Sequence, residues 1–327
     1  MSDHGVRMPD ATDLVYVERT PERELESCNH LLDDQTALTA FYEENGYLLF
    51  RNLLNPDSIV RARDEVLAVI AGHGIVEPGD PTGKWTGKPV PYGLEWSDDF
   101  AGIGSRLIEH PDNLAVIEKL LGEKPCLVPN VQYRTYAPGG MVTKVHQDGH
   151  FSPGIEEYKP VWTTLTPLPR EKGGVAIAVG QHRNGSLHNL ARPAPFFIPR
   201  ELVPEDSWAT TDYNPGDVLV LHGYVPHGSL PNTTDMVRVS LDARVQSAAW
   251  PTAFGARVKA VTPNSITVDT DFSGELTFSV AEDTFIHVGE PGIRQPFEQF
   301  TELVEPGRTL LLVRDGDHAT MLRRVTG

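Results

Sequence analysis

The segment KVHQDGHF, residues 144–151, sets two metal-competent side chains, His146 and Asp148, two residues apart. In extended chain, positions i and i+2 project from the same face of a strand. An imidazole nitrogen and a carboxylate oxygen then converge on one point, and on a core-facing side such a pair costs free energy unless something binds it. Two histidines and one carboxylate on one face of a metal, with the other positions open, form the ligand set of a mononuclear non-haem Fe(II) centre that activates O2. The third ligand must come from another strand. His227, in PGDVLVLHGYVPHGSLPN, follows a turn after an apolar strand, as expected at a barrel mouth. His222, directly after the run VLVL, competes with it, although a rim or core histidine is the ordinary expectation at such a place.

Arg238 lies eleven residues beyond His227, on a strand otherwise apolar at Val237, Val239 and Leu241. An arginine directed into a barrel must find an anion, and its planar fork suits a carboxylate. Ser240 faces the same side and adds a hydroxyl. Together they predict a pocket for the distal carboxylate of 2-oxoglutarate, whose keto-acid end chelates iron, with Arg244 as the alternative anchor. Taken singly these signals are weak: an isolated HxD is usually a turn, a strand-end histidine usually structural, a strand arginine usually an ion-pair partner. Their order along the chain is far more specific.

The elements that must hold these residues can be read in turn. Residues 1–34 are polar and mixed in charge, and predict an arm or irregular cover. TALTAFYEENGYLLF predicts a helix to Gly46 and then a strand. In NPDSIVRARDEVLAVIAG, Asn55 is the cap, Pro56 the first helical residue and Gly72 the stop. HPDNLAVIEKLLG repeats the device between Pro111 and Gly122. Between these helices, residues 74–100 are rich in Gly, Pro and aromatics and have no period. Two readings fit so long a loop: a surface segment, or a lid that brings Trp85, Tyr92 and Trp96 to a substrate. His150 and Phe151, just past the ligand pair, would form the floor of that substrate pocket.

From residue 126 onward, short β-rich runs alternate with turn residues, the pattern of an antiparallel sandwich or barrel. The series restarts after SAAWPTAFG with ARVKAV, SITVDT, ELTFSV, TFIHV, RTLLLVRDG and ATMLRRV. The expected organisation is therefore an arm over 1–34, a metal-binding domain over 35–250 and a small C-terminal β-barrel over 251–327. His287 and His318 read as isolated surface residues. The barrel's expected role is packing or a homodimer interface, since its strands need somewhere to bury their apolar faces.

Composition excludes other classes. The chain has 327 residues and a formal net charge of -17, from 45 acidic and 28 basic residues. That is no footprint for nucleic acid or for an anionic membrane surface. Two cysteines, Cys28 and Cys126, form no metal-like spacing and no disulfide framework. With no apolar leader in the N-terminal residues and no run long enough to span a bilayer, the expectation is a cytoplasmic protein.

These motifs resemble the phytanoyl-CoA dioxygenase family of Fe(II)/2-oxoglutarate oxygenases over roughly residues 35–248. The resemblance rests on FYEENGYLLFRNLLNPDSI, YAPGG before HQDG, VWTTLTPLPREKGGVAIAVGQHRNG, PGDVLVLHGYVPHGSLPN and RVSLDAR. It implies a mainly β fold with N-terminal helices, whose core is a double-stranded β-helix of the jelly-roll or cupin-like kind. It implies His146, Asp148 and His227 as Fe(II) ligands and Arg238 as the 2-oxoglutarate anchor. Trp162, Ser229 and Gln132 join Ser240 as cosubstrate-pocket candidates. In related halogenases a small residue replaces the carboxylate ligand; the presence of Asp148 implies hydroxylation, or another oxidation, of a small molecule with release of succinate and CO2. The chain departs from the family at KGGVAIAVG and VGQH, away from the ligands, which leaves the substrate open. Two other classes remain in view at this point. One is a redox-inactive cupin-like isomerase or hydrolase, which has no use for Arg238. The other is a binding protein working through its C-terminal barrel, which has no use for a full ligand set.

Overall fold

The computed structural model describes residues 17, 20–140, 142–150, 158–188, 198–288 and 295–325. Four helices precede most of the strands: α1 (Gln35–Asn45), α2 (Pro56–Gly72), α3 (Ile103–Ile108) and α4 (Pro111–Leu121). Asn55 accepts from Ser58 N at the start of α2, and Gly46, at φ 79°, ends α1 in the left-handed conformation that glycine adopts without penalty. The helix α3 was not anticipated, because at 6 residues it is too short to show a period.

The strands β1 (Tyr47–Phe50), β6 (Val218–Leu221), β3 (Tyr158–Thr164), β8 (Arg238–Ser247) and β2 (Pro125–Tyr136) form a five-stranded antiparallel sheet in that order. A second sheet, β5 (Trp208–Ala209), β4 (Val175–Ala178) and β7 (His227–Ser229), faces it. Strand alternation assigns the two faces. Val237, Val239, Leu241, Ala243 and Val245 join Val131, Tyr133, Val161 and Val220 in a core shared with the helices. Leu49, Trp162, Leu219 and Leu221 pack inward against Val175, Ile177 and Ala209 of the smaller sheet. The result is a jelly-roll-like sandwich with helices on its outer face. The described part of the N-terminal arm runs along the smaller sheet, where Leu25 N donates to Thr210 O at 3.2 Å and Thr210 N to Arg23 O at 3.1 Å.

Beyond Ser247 a six-stranded sheet follows: β9 (Ala253–Thr262), β10 (Ser265–Thr270), β11 (Gly274–Ser279), β12 (Phe285–His287), β13 (Thr309–Asp315) and β14 (His318–Arg324), with the short helix α5 (Phe300–Leu303) beside it. The order is β11-β10-β9-β13-β14-β12, and a further pairing of Ser279 with His318 brings β11 against β14. His318 is not isolated: Nε2 lies 3.2 Å from Asp283 Oδ1. Among the described residues, no helix is long and apolar enough to cross a membrane.

Candidate metal centre

His146 and Asp148 do not share a continuous strand. His146 sits in an isolated bridge with His227, closed by two backbone hydrogen bonds of 2.9 Å, and Asp148 opens a short 3-10 turn through His150. The residue between them does the positioning. Gln147 is fully buried: its N donates to His188 Nε2, its Nε2 to Gly185 O and Tyr224 O, and its Oε1 accepts from Leu187 N. With Gln147 held on one side, its two neighbours must point to the other. Gly149 completes the turn against the Tyr224 ring, where an added Cβ would come within 2.9 Å of Cε1.

His146 Nδ1 lies 2.8 Å from Lys144 O and His227 Nδ1 lies 3.0 Å from Val225 O. A carbonyl can only accept, so both Nδ1 atoms carry the proton and both Nε2 lone pairs are left for a metal. His146 Nε2 is 3.4 Å and His227 Nε2 3.9 Å from Asp148 Oδ1. Among the described residues these three are the group positioned for metal binding, their ligand atoms all within 4.8 Å of one another. Burial alone would raise the Asp148 carboxyl. Its neighbours His146, His227 and Arg244 outweigh it and hold the group well below the usual carboxylate range. Burial, and then His146, push His227 down to about 4. The site thus presents one carboxylate and two Nε2 lone pairs, the donor set a divalent metal requires. His222 lies elsewhere. It lines a larger cavity of about 360 Å³ under α1 and α4, on the helix side of the sheet, with Tyr42 and Lys159.

Arg238 enters the same interior beside the triad, 2% exposed. Its Nη1 donates to Gly173 O at 2.7 Å and Ser229 Oγ at 2.8 Å, and its Nη2 reaches Ser240 Oγ at 3.4 Å. The guanidinium lies over the rings of Tyr136 and Trp162, and burial pulls it down to about 10. Two buried donors in this pocket, Arg238 Nε and Trp162 Nε1, have no hydrogen-bond partner among the described residues. Orphaned donors beside a buried guanidinium fit an anionic ligand such as the cosubstrate. Gln132 is buried and accepts from Arg134 Nη2, two residues farther along the same strand.

The substrate-side expectations fare differently. Trp85 packs against the helix-side core, its Nε1 donating to Lys88 O, and Tyr92 is 81% exposed. Gly83 O accepts from Val237 N, and Trp85 N donates to Asp235 O. The loop is therefore stitched to the lead-in of β8 on its outer side, and the expected lid residues Trp85 and Tyr92 do not line the interior. The Trp96 side chain and Phe151 lie outside the described residues. His150 is half-buried and its ring stacks on His188 at 4.0 Å, adjoining the triad. The pocket around the triad also takes in Arg134, Tyr136, Thr143 and Asp242, which the sequence reading missed. Arg134 and Tyr136 alternate with Gln132 in QYRTY, a period that could have marked them.

A family model described as "Phytanoyl-CoA dioxygenase (PhyH)" matches residues 42–240. The chain belongs to this family. It is an Fe(II)/2-oxoglutarate-dependent oxygenase, and its cofactors are Fe(II), 2-oxoglutarate and O2. It is 29% identical over 246 residues to the 1-deoxypentalenic acid 11-beta-hydroxylase of Streptomyces arenae, covering 70% of this chain and 87% of that one. It is likewise 29% identical over 247 residues to the enzyme of that name from Streptomyces exfoliatus, again covering 70% and 87%. Solved structures similar to it include the epimerase SnoN from nogalamycin biosynthesis, in complex with Fe3+ and alpha ketoglutarate, at 20% identity and TM-score 0.48 over 66% of this chain and 85% of that one. The non-heme monooxygenase ThoJ is also similar, at 20% identity and TM-score 0.48 over 72% and 85%.

Proposed function

We propose that His146, Asp148 and His227 hold the Fe(II), that Arg238 with Ser229 and Ser240 anchors the distal carboxylate of 2-oxoglutarate, and that the enzyme hydroxylates an unactivated C–H of a small secondary metabolite. The single observation that carries this reading is the shared pocket: a facial His-Asp-His group and a buried, incompletely paired arginine lie in one interior. Bound there, the iron with its cosubstrate and O2 supplies the oxidising power. The chain's own residues orient both imidazoles through carbonyls, neutralise the cosubstrate and wall it with Trp162 and Tyr136. The two Streptomyces relatives, named 1-deoxypentalenic acid 11-beta-hydroxylase, support hydroxylation as the reaction and an acid as the substrate. We read the chain as an oxygenase domain over 35–250 with a small barrel over 251–327, supported by the separate apolar interior of the latter.

The test is anaerobic titration of the purified protein with Fe(II) and then 2-oxoglutarate. A visible charge-transfer band, followed by succinate release on admission of O2 and substrate, is the expected result. Absence of the band in a metal-loaded protein would sink the reading.

A further inference from the structure

The C-terminal strands do more than sit beside the oxygenase sheet. Gln246, at the end of β8, is buried; its Oε1 accepts from Thr252 N and Ala253 N at 3.0 and 3.1 Å, and its Nε2 donates to Ala253 O. Ala253, Leu311, Val313 and Met321 pack on Tyr158 and Val128, which lie beside Gln246 on the inward-facing side of the five-stranded sheet. The unit thus plugs one end of the interior that holds the triad. Arg324 fixes the last strand from outside, both carboxylate oxygens of Asp98 lying 2.7 Å from its Nη2.

Along β14, residues 321, 323 and 325 share a face. Met321 and Val325 both belong to the plug. Arg323, between them, is therefore directed at the same end of the interior, and it is half-buried. Burial, Arg244 and Arg134 push it down to about 10, as expected of a third guanidinium brought against two others. Arg244 is 3% exposed and points inward from β8; its Nη2 lies 3.4 Å from Asp242 Oδ2 and 3.8 Å from Asp148 Oδ2, while Nε and Nη1 have no hydrogen-bond partner among the described residues. Arg134, on β2, lies opposite Ser240 nearer Arg238; it lines the pocket of the triad and donates to Gln132 Oε1. With Asp148 committed to the metal in the reading above, Arg244 and Arg323 stand against Asp242, an excess of one positive charge. Buried donors left open beside such an excess call for a monoanion.

We propose that the C-terminal unit completes the substrate site, and that Arg323, with Arg244, holds a carboxylate of the substrate at the end of the interior away from Arg238. This rests on the oxygenase reading above and goes beyond it by naming the substrate class and assigning a specificity-determining residue outside the family's matched region. The carboxylate would sit on the plugged side of the iron, leaving the hydrocarbon part of the molecule to reach across the open metal positions.

The test uses the full-length protein loaded with Fe(II) and 2-oxoglutarate. A set of alicyclic carboxylic acids, each with its methyl ester and primary amide, is screened for succinate release, and hits are titrated anaerobically by calorimetry. Acids should stimulate turnover and bind, and their neutral partners should not. Arg323→Gln should weaken acid binding at least about tenfold, the loss expected for a charge-assisted hydrogen bond. Its 2-oxoglutarate affinity and charge-transfer band should stay as in the wild type, and Arg323→Lys should recover part of the loss. Esters or amides as good as acids, a response only to phosphate monoesters, no response to any acid, or unchanged acid affinity in Arg323→Gln would each overturn the proposal. If Arg323→Gln does not fold, the acid-against-ester comparison in the wild type decides alone. A wild-type protein without the charge-transfer band would fail the oxygenase reading instead, a separate outcome.

Discussion

Two buried interiors in this molecule follow opposite rules. Inside the C-terminal unit, Phe254, Val258, Ile266, Val268, Phe278, Ile286, Leu310, Leu312 and Leu322 pack on one another. Inside the oxygenase sandwich, one face of β8 presents Arg238, Ser240, Asp242, Arg244 and Gln246 in succession, all buried except the half-buried Asp242. There Arg238 Nε, Asp242 Oδ1 and two nitrogens of Arg244 lack hydrogen-bond partners among the described residues. The first interior earns stability from apolar area. The second spends it, because a buried polar atom without a partner costs about 1–3 kcal/mol. A sequence keeps such a face only where a ligand satisfies it, and the opposite face of β8, packed against the helices, carries the cost.

The sharpest way to break this comparison is at the triad. His227→Ala or Asp148→Ala should abolish 2-oxoglutarate turnover, measured as succinate, with circular dichroism and melting little changed. A collapse of the fold would mean that the triad belongs to the stabilising kind of interior. Next in size is Leu322→Ala, in the apolar interior, expected to cost about 2–5 kcal/mol in chemical denaturation. Met321→Ala, one residue earlier but facing the plug, should instead be felt in substrate affinity as well as stability.

Arg238→Lys retains charge and loses the fork, so the 2-oxoglutarate KM should rise well over about tenfold with the fold intact. An unchanged KM would move the anchor to Arg244. A smaller effect is expected of Lys172, 1% exposed, whose Nζ donates to Thr82 O, Thr166 Oγ1 and Pro167 O. Burial lowers it from 10.5 to about 8. Between those values the unfolded chain binds the proton and the folded one does not, so folding gains stability as pH rises through that window. The melting difference between wild type and Lys172→Met should therefore shift in favour of the wild type from pH 8 to 10.5, and a flat difference would contradict it. Smallest of all, Trp85→Ala should leave the substrate KM within about twofold, because its ring packs on the helix side.

Much of this protein was legible in the sequence because it depends on local rules. Asn55 with Pro56, and Gly46 and Gly122 at positive φ, set helix ends through neighbouring backbone alone. The period of two in MVRVSLDARV separated the two faces of β8 before any sheet was seen. The residues His146, Asp148, His227 and Arg238 stood out because each is costly to bury, and a chain does not repeat such costs without a use for them. Tertiary structure decided the rest. Only the packing around Gln147 shows how His146 and Asp148 converge without a strand, since its partners Gly185, His188 and Tyr224 lie far along the chain. Only the stitching of Gly83 to Val237 puts the aromatic loop on the outer face, because an aperiodic segment carries no signal for the side on which it docks. And the approach of Arg323 to Arg244 depends on which face of one unit meets which end of another, a long-range fit that local sequence cannot encode.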